Sequence, residues 1–403
     1  MIEKYYSGVI EQIYNRIGKE TRNIVMANYS NDFSIENLEV IRRYQSNEDN
    51  VFFAYSEFSY NTLVGAYEPF LDIICNMHRR FIGGSFDDFQ KECGVYYLHR
   101  QVLNSYYETG ECFREETVLL NEVAYEQRRM TMAIADMLKR LSEVRPLMIV
   151  INRFQMASKS SIETIKYLID NPCANIGIVL GVNAIVKGAD STVEVWDRIV
   201  ESLEDRSAIY YIGSAGPLKN NIKTTNDDEL YITMNFEQSI QEASNIMEFL
   251  DFEQARRGCR IIEHKLKFED AWIDEKSLRR FYMVYARTSV LLGEMSKAIE
   301  LTNEYKALIP ENDSEHYLSL YYFMKGTCYM YQGKLEKAGN SAKSAYDYAV
   351  LAEDDTLIFK AELLSVMIKM SGWYNIFFCV QDIPVSDEII EKLQKDGVTL
   401  KPY

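Results

Sequence analysis

A hydrophobic segment near the middle of the chain ends where a nucleotide-hydrolysing enzyme would carry a metal-binding acid. Leu147 to Ile151 is a continuous apolar run with the length and β-branched content of a buried parallel strand. In such an enzyme, an acidic residue at the end of the strand holds Mg²⁺ or polarises water. Asn152 and Arg153 take that place here. The sequence therefore predicts the scaffold of the site without its chemistry.

The residues after this strand can be compared with those of known ATPases. Asn152 to Ser158 reads Asn-Arg-Phe-Gln-Met-Ala-Ser, and Ser160 with Glu163 forms a capping box that predicts the start of a helix. This segment resembles the Walker B region of the signal-transduction ATPases with numerous domains, the STAND branch of the AAA+ superfamily. Those proteins typically have two acids, then Leu-Gln-Trp-Ala-Asp and a serine-led helix. Gln155, Ala157 and the serines match, whereas both acids, the tryptophan and the final aspartate are absent.

The resemblance implies a phosphate-binding loop near the N-terminus. Asn23 to Ala27 predicts a short strand, and Ile35 to Tyr44 carries apolar residues at helical spacing. Between them, the segment from Ala27 to Ser34 stands where the motif GxxxxGK[ST] would be. The strand, loop and helix are thus predicted in the expected order.

The loop residues themselves are unsuited to phosphate. Ser34 is the single position that fits the motif, while Ala27 restricts the backbone and Phe33 replaces the lysine. Asp32 adds a carboxylate, which at about 4 Å from a phosphate would repel it by roughly 4 kcal/mol. We therefore expect no nucleotide in the usual pose, and we expect Phe33 to fill part of the empty site.

The other apolar segments of the N-terminal part predict an α/β domain from residue 1 to 234. Val51 to Tyr55, Ile176 to Asn183 and Ala208 to Ile212 are strand candidates separated by helical stretches. This alternation predicts a parallel sheet of the P-loop type, with helices on both faces. The resemblance implies that Asn183 stands at the sensor position, which contacts the γ-phosphate in active members. An unrelated α/β fold with chance similarity is the alternative.

From residue 235 to 403 the pattern is helical and contains an internal repeat. Glycines at Gly293 and Gly333 follow the first small residue of two copies by seven positions. The spacing resembles that of tetratricopeptide repeats, in which small residues lie where paired helices cross and glycine lies at the turn. A weaker fourth copy runs through Ser365, Gly372 and Phe377, so the array has about three to four repeats and could be truncated. Small residues recur 12 positions apart at Ala243 and Ala255, at Ala286 and Ala298, and at Gly326 and Ala338.

Stacked helix pairs expose a concave face that suits a peptide or protein segment. We therefore predict that a protein or peptide partner binds the repeats, with Tyr285, Tyr322 and Tyr329 near or beneath the contact face. The alternative is that the repeats only support the first domain and that these tyrosines are core residues.

Composition narrows the class of protein. The 403 residues correspond to two domains, and the net charge of −16 argues against direct nucleic-acid binding. No apolar run approaches a membrane span, and the N-terminus lacks the apolar core of a signal peptide. The seven cysteines are scattered and the four histidines lack metal-ligand spacing. These features predict a cytoplasmic protein without a metal or other cofactor.

Two functions from different classes remain. In the first, the chain is a catalytically inactive regulatory module, the sensor part of a signal-responsive transcriptional regulator similar to the large LuxR-type bacterial regulators. Its DNA-binding domain would then lie outside this chain. In the second, it is an atypical NTPase that binds nucleotide weakly through Ser34, Asn152 and Asn183. The missing lysine and acids favour the first, and neither the signal nor the oligomeric state can be read from the sequence.

Overall fold

The structure is a computed structural model. It describes residues 2–29, 38–46, 50–59, 63–112, 122–183, 186–187, 193–213, 223–224, 235–268, 273–312 and 314–379. The chain divides into two compact units, Met1–Leu308 and Ile309–Tyr403.

The first unit contains the parallel sheet that the sequence predicts. The strands in chain order are β1 (Ile24–Tyr29), β2 (Phe52–Glu57), β3 (Leu147–Asn152), β4 (Ile176–Asn183), β5 (Val186–Lys187), β6 (Ile209–Ile212) and β7 (Lys223–Thr224). Five of them form one parallel sheet in the order β2-β3-β4-β1-β6, and β5 pairs with β7. Every residue of β3 and β4 is buried, so both faces of the sheet are covered. The prediction of an α/β arrangement is confirmed.

Eight helices accompany these strands in the described part of the chain. They are α1 (Ile2–Arg16), α2 (Glu39–Ser46), α3 (Phe70–Met77), α4 (Phe86–Glu92), α5 (Tyr97–Thr109), α6 (Val123–Val144), α7 (Lys159–Asp170) and α8 (Val193–Glu204). A π-helical turn follows α3 at His78–Ile82, and a 3₁₀ turn lies between β3 and α7 at Phe154–Met156. Helices α1 and α2 pack on one face of the sheet and share its core.

Helix α1 lies unusually close to β4, because two residues of that strand have no side chain. A Cβ atom at Gly177 would meet the side chain of Ile17 at 2.8 Å, and one at Gly181 would meet Asn152 Oδ1 at 2.8 Å and the Tyr6 hydroxyl closer still. The two glycines point to the same face of the strand. They therefore let α1 bring Tyr6 down onto the sheet.

Two local predictions for this unit are wrong. Ala27 does not begin the loop, because β1 continues to Tyr29 and pairs with β4 and β6 on both sides. Ser160 does not cap α7; the cap is Ser158, whose extended backbone lets its Oγ accept the N–H of Ser161 at 3.4 Å. Ser160 lies in the first helical turn, where its N–H donates to the carboxylate of Asp251 at 3.0 Å.

The pattern changes to helices alone where the sequence predicts it. Helices α9 (Phe236–Glu248), α10 (Phe252–Phe268), α11 (Glu275–Leu291) and α12 (Met295–Ala307) belong to the first compact unit. The second unit contains α13 (Glu315–Tyr331), α14 (Leu335–Leu351) and α15 (Asp355–Cys379). Every described element from Phe236 onward is a helix. The predicted domain boundary between residues 234 and 235 stays a prediction.

The predicted glycine turns join two of the helix pairs. Gly293, between α11 and α12, and Gly333, between α13 and α14, have φ angles of 77° and 73°, in the left-handed region that favours glycine. The small residues Ala286, Ala298 and Ala338 are buried, as a close crossing of helices requires. The sequence therefore identifies both turns, and the small residues it singles out are buried.

The predicted fourth repeat copy is wrong in one respect. It requires a turn at Gly372, but α15 runs through this residue to Cys379. A glycine inside a helix costs only about 1 kcal/mol, and no proline follows it within the helix to force an end.

Among the residues that the structure describes, no helix is long and apolar enough to cross a membrane.

Candidate functional site

The candidate site lies at the carboxyl edge of the sheet, where parallel α/β proteins bind their ligands. Asn152 is the last residue of β3 and its side chain is fully buried. The hydroxyl of Tyr29, at the end of β1, donates to Asn152 Oδ1 at 2.5 Å. Because β4 lies between these strands, the contact crosses the open space above Gly181. Asn152, at the place where the sequence resemblance implies an acid, is thus part of a buried polar contact.

Tyr6 occupies the same edge from the side of α1. It is completely buried, and its ring meets that of Tyr29 edge to face at 6.3 Å between centroids. Burial raises the pKa of the Tyr6 phenol well above its usual value, and the neighbouring Tyr29, Tyr55 and Glu57 raise it further. The phenol is therefore neutral at physiological pH, and it fills space beside Asn152.

Arg153 carries a positive charge to the end of β3. Its backbone adopts a left-handed conformation with φ of 55°, and its guanidinium forms an ion pair with Glu57 Oε1 at 3.0 Å. Glu57 ends the neighbouring strand β2 and also accepts the hydroxyl of Tyr55. The guanidinium thus places a positive charge at the end of β3, and the Glu57 carboxylate is engaged with it. This arrangement opposes metal binding.

Asn183, at the predicted sensor position, ends β4 beside this cluster. Its side chain is buried, and its backbone N–H donates to Gln155 Oε1 at 3.3 Å. Gln155 lies in the 3₁₀ turn after β3 and is 5% exposed. Within the described part of the chain, Gln155 Nε2 has no hydrogen-bond acceptor. It is therefore a buried donor available at the sheet edge.

The structure brings together some of the residues that the sequence singled out. Asn152, Arg153 and Asn183 lie at the ends of two adjacent strands, as predicted. Asp32, Phe33 and Ser34 lie outside the described residues, so the expectation that Phe33 fills the site stays a prediction.

The sequence patterns do not predict Tyr6 and Glu57 as part of this site. Glu57 could have been found, because it is the first acid after the second apolar strand and faces the basic Arg153 across adjacent strand ends. Nothing local in the sequence marks Tyr6, which belongs to a helix that precedes the whole sheet.

A second candidate site is an acidic cavity of about 480 Å³ between α3, α5 and α9. Glu68, Asp72 and Glu242 line it together with Tyr106, whose hydroxyl donates to Asp72 Oδ1 at 3.0 Å. Burial raises the pKa of Glu242 to about 7, with further contributions from Glu68 and Asp72. Burial also raises the pKa of Glu68. Among the described residues, no group of three or more His, Cys, Asp or Glu side chains is placed to hold a metal ion.

The three tyrosines of the predicted partner face differ in burial. Tyr285 on α11 is 3% exposed, and its hydroxyl donates to Glu263 Oε2 at 3.5 Å. Tyr322 and Tyr329 on α13 are half-buried, and the Tyr322 ring stacks on Tyr348 with 5.6 Å between centroids. Tyr322 and Tyr329 therefore retain accessible surface, whereas Tyr285 is a core residue.

Comparisons with known proteins give no family for this chain. No known protein-family model matches it, and no curated protein matches its sequence. The function is therefore argued from the geometry of the sheet edge and from the helix pairs.

Proposed function

We propose that this chain is a catalytically inactive regulatory module of the P-loop type, which binds a protein or peptide partner through tetratricopeptide-like helix pairs. It would act as the sensor part of a signal-responsive regulator in the cytoplasm. The observation that carries the proposal is the pair Asn152 and Arg153 at the end of β3. A buried amide and a paired guanidinium stand there where hydrolysis requires an acid.

The strand order supports a P-loop origin for the sheet. The resemblance implies that the phosphate-binding loop follows β1, that the Walker B residues end β3 and that the sensor residue ends β4. Here β4 lies between β1 and β3, and Asn183 and Asn152 end the two corresponding strands. The topology thus agrees with the resemblance in the sequence, although the catalytic residues differ.

The chemistry of the edge supports loss of nucleotide hydrolysis. Mg²⁺ prefers carboxylate and water oxygens, but the Glu57 carboxylate is paired with Arg153 at 3.0 Å. Tyr6 and Tyr29 add bulk beside Asn152, where water and phosphate oxygens would have to lie. A phosphate and its metal could enter only if this buried cluster were rearranged.

The helix pairs supply the surface for a partner. Helices α13 and α14 join at Gly333, and the aromatic pair Tyr322 and Tyr348 lies between them with part of its surface accessible. Aromatic side chains of this kind are common in binding surfaces, since they bury a large area at small entropic cost. This surface supports the proposed binding of a peptide or protein segment.

Nucleotide binding tests the first half of the proposal. The melting temperature of the full chain should be unchanged by 5 mM ATP or ADP with Mg²⁺, and calorimetry should detect no heat of binding. A nucleotide at 100 times its Kd would instead stabilise the folded state by about 2.7 kcal/mol. Such a shift would contradict the proposal.

Weak nucleotide binding is the second candidate function, and Gln155 is the observation that favours it. Its buried Nε2 has no acceptor among the described residues and could donate to a phosphate oxygen. Under this alternative, ATP would raise the melting temperature and the Gln155→Ala variant would lose that effect.

Partner binding tests the second half. Peptides selected for binding to the full chain from a displayed library should bind the Tyr322→Ala variant at least tenfold more weakly. The Tyr5→Ala variant is the matched control, because Tyr5 is 62% exposed on α1. Selected peptides that bind both variants equally would place the binding surface elsewhere.

A further inference from the structure

Four large apolar side chains are exposed along one side of α15. Phe359, Leu363, Val366 and Met370 are 59%, 38%, 49% and 60% exposed. Their spacing of four, three and four residues aligns them along the helix axis. We call these four residues the α15 stripe. It has the spacing of a helix–helix contact surface.

The opposite side of α15 is already packed. Leu357, Ala361, Leu364 and Ile368 are buried there, and the last two belong to a core cluster with residues of α13 and α14. A helix that is apolar on both sides is typical of a buried position, with neighbours on both sides. In a helical array, the last helix usually has a polar outer face. The outer face of α15 is apolar along the stripe.

Two opposite charges flank the α15 stripe. Glu362 and Lys369 are both exposed and stand seven residues apart, immediately before Leu363 and Met370. They therefore lie on the same side of the stripe. Within the described residues, neither forms an ion pair, so both are available to a partner.

We propose that the α15 stripe is the interface of an antiparallel dimer, in which α15 packs on α15 of a second copy of this chain. A two-fold axis midway between Leu363 and Val366 brings Leu363 of each copy opposite Val366 of the other. The same axis brings Phe359 opposite Met370 at both ends of the contact.

The charges agree with this arrangement. In the antiparallel pair, Glu362 of each copy lies on the same flank as Lys369 of the second copy and at nearly the same height. The two-fold axis repeats the attraction, so the interface contains it twice. A face that matches itself both in apolar layers and in charge favours a second copy over an unrelated partner.

The expected dimer is weak. Four apolar layers form an interface at the small end of those found in stable complexes. Tyr346 and Val350 on the adjacent α14, which are 38% and 46% exposed, add apolar surface in this unit. We expect a dissociation constant in the micromolar range. The inference does not depend on the proposed function, because it uses residues of α14 and α15 alone.

Sedimentation equilibrium of the full chain between 1 and 100 μM tests the dimer, with folding of each variant checked by circular dichroism. Wild-type protein should show a monomer–dimer equilibrium. Glu362→Lys and Lys369→Glu should each weaken it at least tenfold, because each replaces two attractions by two repulsions. The double variant should recover the wild-type association. Lys276→Glu, at an exposed position on α11, is the matched control and should have no effect.

Several results would overturn the proposal. A wild-type chain that is monomeric at 100 μM would do so, and so would a dimer that tolerates Glu362→Lys. A monomer that dimerises only after removal of residues 380–403 would show that the chain's own C-terminal segment covers the stripe. A monomer that associates only with another protein would assign the stripe to that protein.

Discussion

Replacing Glu242 by glutamine should stabilise the protein at alkaline pH and leave its stability unchanged at acidic pH. Glu242 is half-buried in the acidic cavity, where Glu68 and Asp72 are the other charged groups that raise its pKa. Among the described residues that line this cavity, none carries a positive charge. Glutamine keeps the shape of the protonated acid but cannot ionise. The variant therefore removes the energetic cost of the charge alone.

The magnitude follows from the pKa of Glu242. Its value rises from 4.5 to about 7 in the folded protein, and each unit corresponds to about 1.4 kcal/mol. The full effect is on the order of 3 kcal/mol, which solvent screening of this half-buried group reduces to about 2 kcal/mol. Because the folded state binds this proton more tightly than the unfolded state, wild-type stability falls as the pH rises from 4.5 through 7. Glutamine cannot contribute to this fall.

Urea denaturation at pH 4.5 and at pH 8 measures the effect. We expect Glu242→Gln to match wild type at pH 4.5 and to exceed its free energy of unfolding by about 2 kcal/mol at pH 8. Glu304→Gln, at an exposed position on α12, changes the net charge equally and should have little effect at either pH.

Three outcomes would refute the reasoning. A difference of equal size at both pH values would show that glutamine acts through shape or hydrogen bonding and not through charge. An equal gain from Glu304→Gln would show that the net charge of the whole chain, and not the cavity, is responsible. A variant less stable than wild type at pH 8 would show that the Glu242 carboxylate has a favourable partner.

Three further predictions concern packing and backbone. Gly181→Ala should lower the free energy of unfolding by about 1–3 kcal/mol, because the new methyl group meets the Tyr6 phenol. Adding Tyr6→Phe to this variant should recover part of the loss. If Gly181→Ala alone is as stable as wild type in urea denaturation, the close contact is contradicted. Asp251→Ala should lower the free energy of unfolding by about 1 kcal/mol, since the Asp251 carboxylate accepts an N–H of the first turn of α7. Hydrogen exchange should show faster opening of that turn. Unchanged exchange would refute this role. Gly333→Ala should lower the free energy of unfolding by about 1 kcal/mol, because Gly333 lies in a left-handed turn. Gly339→Ala, on the open surface of α14, should raise it by at most about 1 kcal/mol. Thermal melts in which Gly333→Ala is the more stable of the two variants would contradict the assignment of the turn.

Local patterns in the sequence determine the order of the elements. The apolar run from Leu147 to Ile151 predicts a buried parallel strand, and Ile176 to Asn183 predicts another strand; both form, and both are buried. Gly293 and Gly333 predict turns, because glycine adopts a left-handed backbone at little cost. These features depend on residues a few positions apart, and a single sequence displays them directly.

The sequence also predicts that the chemistry of a nucleotide-hydrolysing site is absent. That prediction rests on Asn152 and Arg153, which follow the apolar run at the place where the resemblance implies an acid. It needs only residues that are neighbours in the sequence. The sequence predicts Ser160 as the cap of α7, and this is wrong, because Ser158 two residues earlier is also a suitable capping residue. The backbone conformation, together with Asp251 from another part of the chain, decides between them.

Tertiary structure alone determines which side chains meet at the sheet edge. Tyr29 and Asn152 are 123 residues apart, and they come together because β1 and β3 lie on either side of β4. Tyr6 reaches them only because Gly181 leaves room for α1. The acidic cavity likewise joins Glu68 to Glu242. Contacts at such separations depend on strand order and helix packing, because these bring distant segments together. The spacing of neighbouring residues in the sequence does not determine either of them.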